Sequence, residues 1–427
     1  MKTRKVAMFL LIGLLALSGV SFAGETVSIT VATGAVGQEL EISREAAARY
    51  MELNPNVKIT VLDTPDMVQD RLGLYLQFFE AQSPEVDVYQ VDVIWPGDLA
   101  EHFIDLYEYG AKEAAQQHFL EIVENNTVDG KLVAIPWFTD AGLLYYRTDL
   151  LNEYGLKPPT TWDELETAAK KVQAGERAKG NQDFWGYVWQ GNAYEGLTCN
   201  ALEWLASNDG GSIIEFDGTI SVNNPRAAEI LEQAAGWVGT ISPPGVIGFA
   251  EEDARTMFQG GNALFMRNWP YCYSLGNGPD SAVAGKFDVS PLPAGASGKG
   301  AATLGGWQLS VSKYSKNPEV AADVALFFAS YEEQKARAIQ ASMNPTIMSL
   351  YKDGDVLKAS PFMGSLYDVF INAVARPSTI SAPRYNEVST LFFNAIHSVL
   401  TKKSTAADAL EELELDLQDL TGLQVRQ

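Results

Sequence analysis

Three tryptophans stand in contexts that packing alone does not explain. Trp307, in Leu304-Gly305-Gly306-Trp307-Gln308, follows two glycines that let backbone approach a ligand closely. Trp269, in Arg267-Asn268-Trp269-Pro270, precedes a proline and is therefore disfavoured mid-helix, and Trp95 before Pro96 is placed the same way. An indole offers a flat apolar face, a carboxylate accepts hydroxyl protons and a guanidinium donates to oxygens. Together they suit a ligand with a C–H face and a rim of hydroxyls. The competing role for each indole is ordinary burial, since tryptophan is mostly buried. That is the expectation for Trp162, Trp185, Trp204 and Trp237, which lie on helices or inside packed patterns.

The elements that would position these groups follow from periodicity. Residues 27–32 alternate as a strand, 38–53 repeat at helical spacing, 57–62 read as a strand, 67–81 as a helix and 86–91 as a strand. This β-α-β-α-β order implies a parallel sheet covered on both faces, with ligand groups beyond the carboxyl ends of its strands. The loops there carry Gly34, Gly37 and Glu39, then Asp63 to Asp66, then Asp92 to Trp95, so polar groups gather on one edge. Two short strands are expected around Asp129-Gly130, a strand at 142–147, and a helix after Thr161 as its cap. From 166 to 285 the pattern is mostly helical, and strand character returns at 286–292 and 307–311.

Length and charge limit what the chain can do. The 427 residues predict two or three domains, and 46% hydrophobic with 20% charged residues excludes wholesale disorder. A formal charge of −23 argues against nucleic acid and anionic lipid as partners. His102, His118 and His397 are far apart, so a His-rich zinc centre is not expected, and no cofactor is implied. Lys2, Arg4 and Lys5, an apolar run to Leu17 and Ser21-Phe22-Ala23 predict a cleaved secretory signal over 1–23. No cysteine stands at the cleavage point, so no lipid anchor is expected, and the mature chain would be periplasmic or extracellular. Cys199 and Cys272 allow at most one disulfide, and spacing leaves their pairing open.

The stretch IPWFTDAGLLYYRTDLLNEYGLKPPTTWDEL, 135–165, resembles the first inter-lobe crossing of family 1 extracellular solute-binding proteins, the sugar-capturing components of ABC importers. The resemblance continues through YEGLTCNALEWLASNDGG, ALFMRNWPY, TLGGWQLSV and NAVARPSTISAPRYNEVS, and is nearest to the trehalose/maltose-binding branch. It implies an α/β, two-lobed periplasmic-binding-protein fold, each lobe a mixed β-sheet flanked by helices, joined by a three-segment hinge near 136–140, 289–293 and 312–318. Lobe one would be 24–137 plus 293–314, and lobe two 138–292 plus 315–427. Residue by residue, it places ligand contacts at Glu39, Arg71, Asp92, Phe138, Asp140, Trp269, Gly306, Trp307 and Arg376. Phe138 stands where that branch can carry Tyr, which removes one hydroxyl. Arg71 has Asp70 beside it, and an ion pair is its competing role. Arg376 and Arg384 compete for the carboxy-terminal donor, and the proline after Arg376 favours it by holding the loop extended. Trp95, Tyr194 and Glu195 stand in a second rank with Arg384.

The expected protein is a monomeric, non-catalytic receptor that closes on a neutral sugar, such as trehalose or maltose, and delivers it to membrane-spanning permease subunits. A secreted glycoside hydrolase is the alternative, with Asp92 and Asp140 or Glu39 as its carboxylate pair. A sensor reporting to a membrane receptor shares the fold. Phosphorylated ligands are disfavoured, since no Gly-rich phosphate loop or basic cluster is present.

Overall fold

The computed structural model describes residues 26–426, so the secretory segment expected at 1–23 lies outside them. In chain order the elements that build the site are β1 (Val27–Thr33), α1 (Glu39–Leu53), β2 (Val57–Asp63), α2 (Val68–Glu80), β3 (Val88–Asp92), β4 (Ile135–Ala141) and β5 (Leu143–Arg147). There follow α3 (Trp162–Ala178), β6 (Trp185–Val188), α4 (Glu195–Ser207), α5 (Pro225–Trp237), α6 (Glu251–Gln259), β7 (Ala263–Asn268), β8 (Phe287–Ser290) and β9 (Leu304–Val311). The last are α7 (Pro318–Phe328), α8 (Tyr331–Ala341), α9 (Tyr385–Leu400) and α10 (Ala406–Thr421).

Two sheets organise the chain. The first runs β2-β1-β3-β9-β4, with β1 parallel to β2 and β3, and β9 antiparallel to both of its neighbours. Successive residues of β1 serve opposite faces: Val31 joins a cluster with Ile42, Leu309 and Phe328, whereas Ala32 joins one with Tyr75, Phe79 and Val91. Both faces are therefore covered, as the alternation of strands and helices predicts. Local chemistry also behaves as expected. Thr161 caps α3 by accepting from Glu164 N at 3.2 Å, and Asp129 and Gly130 take φ of 49° and 77° in the turn joining Thr127–Val128 to Lys131–Leu132.

The second sheet runs β8-β5-β7-β6, with β7 antiparallel to β5 and parallel to β6. Here the expectation of mostly helix over 166–285 holds for most of the regular structure but misses the strands β6 and β7, which lie inside that span. All six residues of β7 are buried, so the strand has no polar face and no alternation by which to announce itself.

The path between the sheets differs from expectation at two points: β4 stays in the first sheet through Ala141, past the crossing expected at 136–140 and the lobe boundary expected after 137, and one helix changes lobe. β4 and β5 belong to different sheets and Gly142 alone separates them, while the return passes between β8 and β9. Helix α7, expected with lobe two as part of 315–427, instead buries Ala321, Ala322, Val324, Ala325 and Phe328 in the first sheet's cluster. The changeover comes along α8, whose Ala338 packs in the second cluster and whose Ala341 packs in the first. The apolar face of α7 would suit either core, and only its placement against β9 decides. Cys199 and Cys272 are both free and buried.

Candidate functional site

A cavity with about 680 Å³ of empty space, mouth included, opens between the two sheets. Glu39, Asp92, Phe138, Asp140, Gly306 and Trp307 line it from the first sheet's side, and Trp269 and Arg376 from the other. The crossing loops of the first sheet converge here because β1 and β3 end on the same edge.

Gly306 has φ of 119°, and a Cβ there would fall 2.5 Å from Phe138 O, so β9 can lie this close to β4 only with glycine. Gly34 plays the same part beneath Glu39, where a Cβ would fall 2.2 Å from Arg71 Nη2 and 2.5 Å from Glu39 Oε2. Gln90 ties the loop down by accepting from Gly34 N at 2.7 Å and donating to Glu39 Oε2 at 3.3 Å. Burial pushes the Glu39 carboxyl up to about 7, against the pull of Arg71 and Gln90. Asp140 accepts no hydrogen bond from the described residues, and burial, with Glu39 and Asp92 nearby, raises its carboxyl well above the usual range.

Arg376 joins the two sides. The loop that carries it is held at the foot of β9, where Leu304 N donates to Val374 O at 2.8 Å and Val374 N to Ala302 O at 2.7 Å. From there its Nη2 donates to Asp92 Oδ1 at 3.0 Å and its Nη1 to Glu195 Oε1 at 2.9 Å. Asp92 is raised by burial even so, with Arg376 pulling it down and Glu195 pushing it up. Glu195 also accepts from Tyr385 and Ser389, so both of its oxygens have partners within the protein.

Trp269 and Trp307 are both half-buried at the cavity wall, and each has a guanidinium over its ring: Arg267 Cζ lies 3.9 Å from the Trp269 centroid and Arg71 Cζ 4.4 Å from that of Trp307. The Trp269 ring also rests on Gly305, where a Cβ would approach to 3.1 Å, and its Nε1 donates to Glu251 Oε1 at 3.3 Å.

The cavity therefore gathers eight of the nine residues expected to touch ligand, and Glu195 of the second rank. Arg71 is fully buried behind Trp307 and is not in the wall; its Nε donates to Pro65 O at 3.0 Å, and it makes no ion pair with Asp70. Trp95 is also fully buried, edge-on to Trp307 with centroids 5.8 Å apart. Tyr194 lies behind Glu251, donating to its Oε2 at 2.7 Å. Arg384 is remote from the cavity and donates to Leu420 O at 2.7 Å.

Asp66, Cys199, Glu251, Tyr271 and Met343 line the cavity without having been singled out. Asp66 closes the acidic loop after β2 and so carried a signal. Glu251 lies at the start of an ordinary amphipathic helix, α6, and carried none. Among the described residues no three His, Cys, Asp or Glu side chains are grouped to hold a metal ion.

Two lobes, each a mixed sheet with flanking helices and a cavity between them, define the periplasmic-binding class of α/β fold. The chain belongs to the bacterial extracellular solute-binding protein family, whose model matches residues 35–335. It is 52% identical to a probable ABC transporter-binding protein of Deinococcus radiodurans over 93% of this chain and 94% of that one. A maltose-bound structure of T. maritima MalE3 superposes with a TM-score of 0.88 at 40% identity, over 92% of this chain and all of that one. The maltodextrin-binding protein of Bacillus subtilis is 25% identical over 74% of this chain and 73% of its own.

Proposed function

We propose that the protein is an exported receptor that captures a neutral sugar between its lobes, an α-linked disaccharide such as maltose or trehalose, and hands it to the membrane-spanning permease subunits of an ABC importer. The observation that carries this reading is the pair of half-buried indoles, Trp307 from the first sheet and Trp269 from beside the second, facing one cavity rimmed by carboxylates and Arg376. Indole faces take the C–H faces of the sugar, and Asp140, whose carboxyl accepts no hydrogen bond from the described residues, accepts from its hydroxyls. The similarity to a maltose-bound neighbour supports the same ligand class.

The receptor is monomeric and does not turn its ligand over. Ligand favours the closed arrangement by as much as it binds that arrangement better than the open one. The lobes move as bodies about the crossings at Gly142, between β8 and β9, and along α8. Thermal shift with maltose, trehalose, sucrose, palatinose and glucose tests the reading, since a hundredfold excess over Kd stabilises by about 2.7 kcal/mol. Stabilisation by maltose or trehalose, with no cleavage product by chromatography, is the expected result. Silence to all five sugars, or catalytic release of monosaccharide, overturns it.

A further inference from the structure

Trp269 is held from behind by a charged pair that no ligand can reach. Arg267 and Glu203 are both essentially unexposed. Arg267 Nε and Nη2 donate to Glu203 Oε2 and Oε1 at 2.9 and 2.5 Å, and Nη1 donates to Gln190 Oε1 at 3.2 Å. With three of its nitrogens so engaged, the guanidinium plane cannot turn, and Trp269 lies on it at 3.9 Å.

The same pair also touches two points where the chain passes between the sheets. Thr303 N, just before β9, donates to Glu203 Oε1 at 3.0 Å. Gly142, the single residue between β4 and β5, has no side chain because a Cβ there would fall 2.1 Å from Glu203 Oε1 and 2.8 Å from Arg267 Nη2. A buried ion pair is often no more stabilising than apolar residues of the same volume. What an apolar pair would not supply is a flat, fixed cation for the indole to lie on.

We propose that Arg267, locked by Glu203, is a positioning residue that sets the plane of Trp269 in the cleft and couples it to the crossings at Gly142 and Thr303. Its consequence for affinity rests on the reading of Trp269 as a sugar contact, whereas its consequence for the indole does not.

Arg267→Lys is the decisive variant, because it keeps the charge beside Glu203 and loses the plane. In ligand-free protein the Trp269 indole Nε1–H resonance, assigned through Trp269→Phe, is expected to move and broaden in Arg267→Lys while those of Trp162 and Trp237 stay in place. With maltose as probe, Arg267→Lys is expected to weaken binding about tenfold in the native background and not at all in Trp269→Ala, because the effect travels through the indole. An unmoved Trp269 resonance, or an equal loss in both backgrounds, overturns the proposal. If maltose fails to bind native protein the sugar reading falls instead, and the spectrum still decides this one. Should Arg267→Lys not fold, Gly142→Ala disturbs the pair from the crossing side, with the same shift of the Trp269 resonance expected and the same unmoved resonance counting against it.

Discussion

The second lobe's core and the cleft wall both use tryptophan, but they treat it in opposite ways. In the core, Trp162, Trp189, Trp204 and Trp237 contact one another, with centroids 5.0 to 5.8 Å apart between successive rings. Three of their polar tips have fixed partners: Trp162 Nε1 donates to Ser207 at 2.9 Å, Trp189 to Ser242 at 3.0 Å and Trp237 to Glu166 at 3.1 Å. Each ring is enclosed by other rings and is at most 2% exposed. In the cleft, Trp269 and Trp307 are backed by arginine and keep surface toward the cavity. Surrounded indoles contribute to folding, whereas indoles backed on one side are held ready for an external face. Trp185, expected in the core, follows a third pattern: it is half-buried at the start of β6 with Arg177 Cζ 4.3 Å from its centroid, because its side chain points to the covering helix α3 rather than into the aromatic cluster.

The largest effect that would break this contrast lies in the core. Trp204→Ala should destabilise the protein by about 3–5 kcal/mol through the cavity it leaves, read as a fall in the denaturant midpoint, while the folded fraction binds sugar normally. Equal loss of affinity would mean that the two tryptophan groups are not separate. A second effect comes from charge in the cleft wall. The Glu39 carboxyl is raised from 4.5 to about 7 in the folded protein, so the folded state holds more protons than the unfolded state between those values. Stability of the ligand-free protein should therefore fall as pH rises from about 4.5 to 7, by an upper limit of about 3 kcal/mol. Glu39→Gln should flatten this part of the profile in urea titrations at several pH values, and an unchanged slope would sink the assignment.

Next in size is Trp307→Ala, which should cost about 2 kcal/mol of sugar binding, or on the order of thirtyfold in Kd by isothermal titration. Trp162→Ala should leave Kd unchanged in whatever fraction folds. The smallest effect sharpens the comparison from the core side. Ser242→Ala leaves Trp189 Nε1 without its partner and should cost about 1 kcal/mol of stability, with no change in Kd.

Much of the fold was legible because it is written in local periods. The strands at 27–33, 57–63 and 88–92 and the helices between them follow from alternation and helical spacing, and the Asp129-Gly130 turn and the Thr161 cap follow from side-chain chemistry within a few residues. β6 and β7 did not: β7 is buried on both faces and has no period to read, and β6 is only four residues long. The candidate site was partly legible for a different reason. Glu39 opens the helix after β1, Asp92 ends β3 and Trp307 stands behind paired glycines, whereas Arg71, Phe138, Asp140 and Arg376 were reached only through resemblance to a family.

By itself the sequence determined the alternation of strands and helices, the acidic loops along one sheet edge, the unusual settings of Trp269 and Trp307, and membership of the solute-binding family. Only the tertiary structure decided that Arg376 rather than Arg384 faces the cavity, that Arg71 and Trp95 stand behind Trp307, that Glu251 enters the wall, and that α7 belongs with the first sheet. The physical reason is range. Caps, turns and periodic faces involve neighbours a few residues apart, but Arg376 meets Asp92 across 284 residues of chain, and which arginine makes that contact depends on how Leu304 and Val374 come to lie side by side.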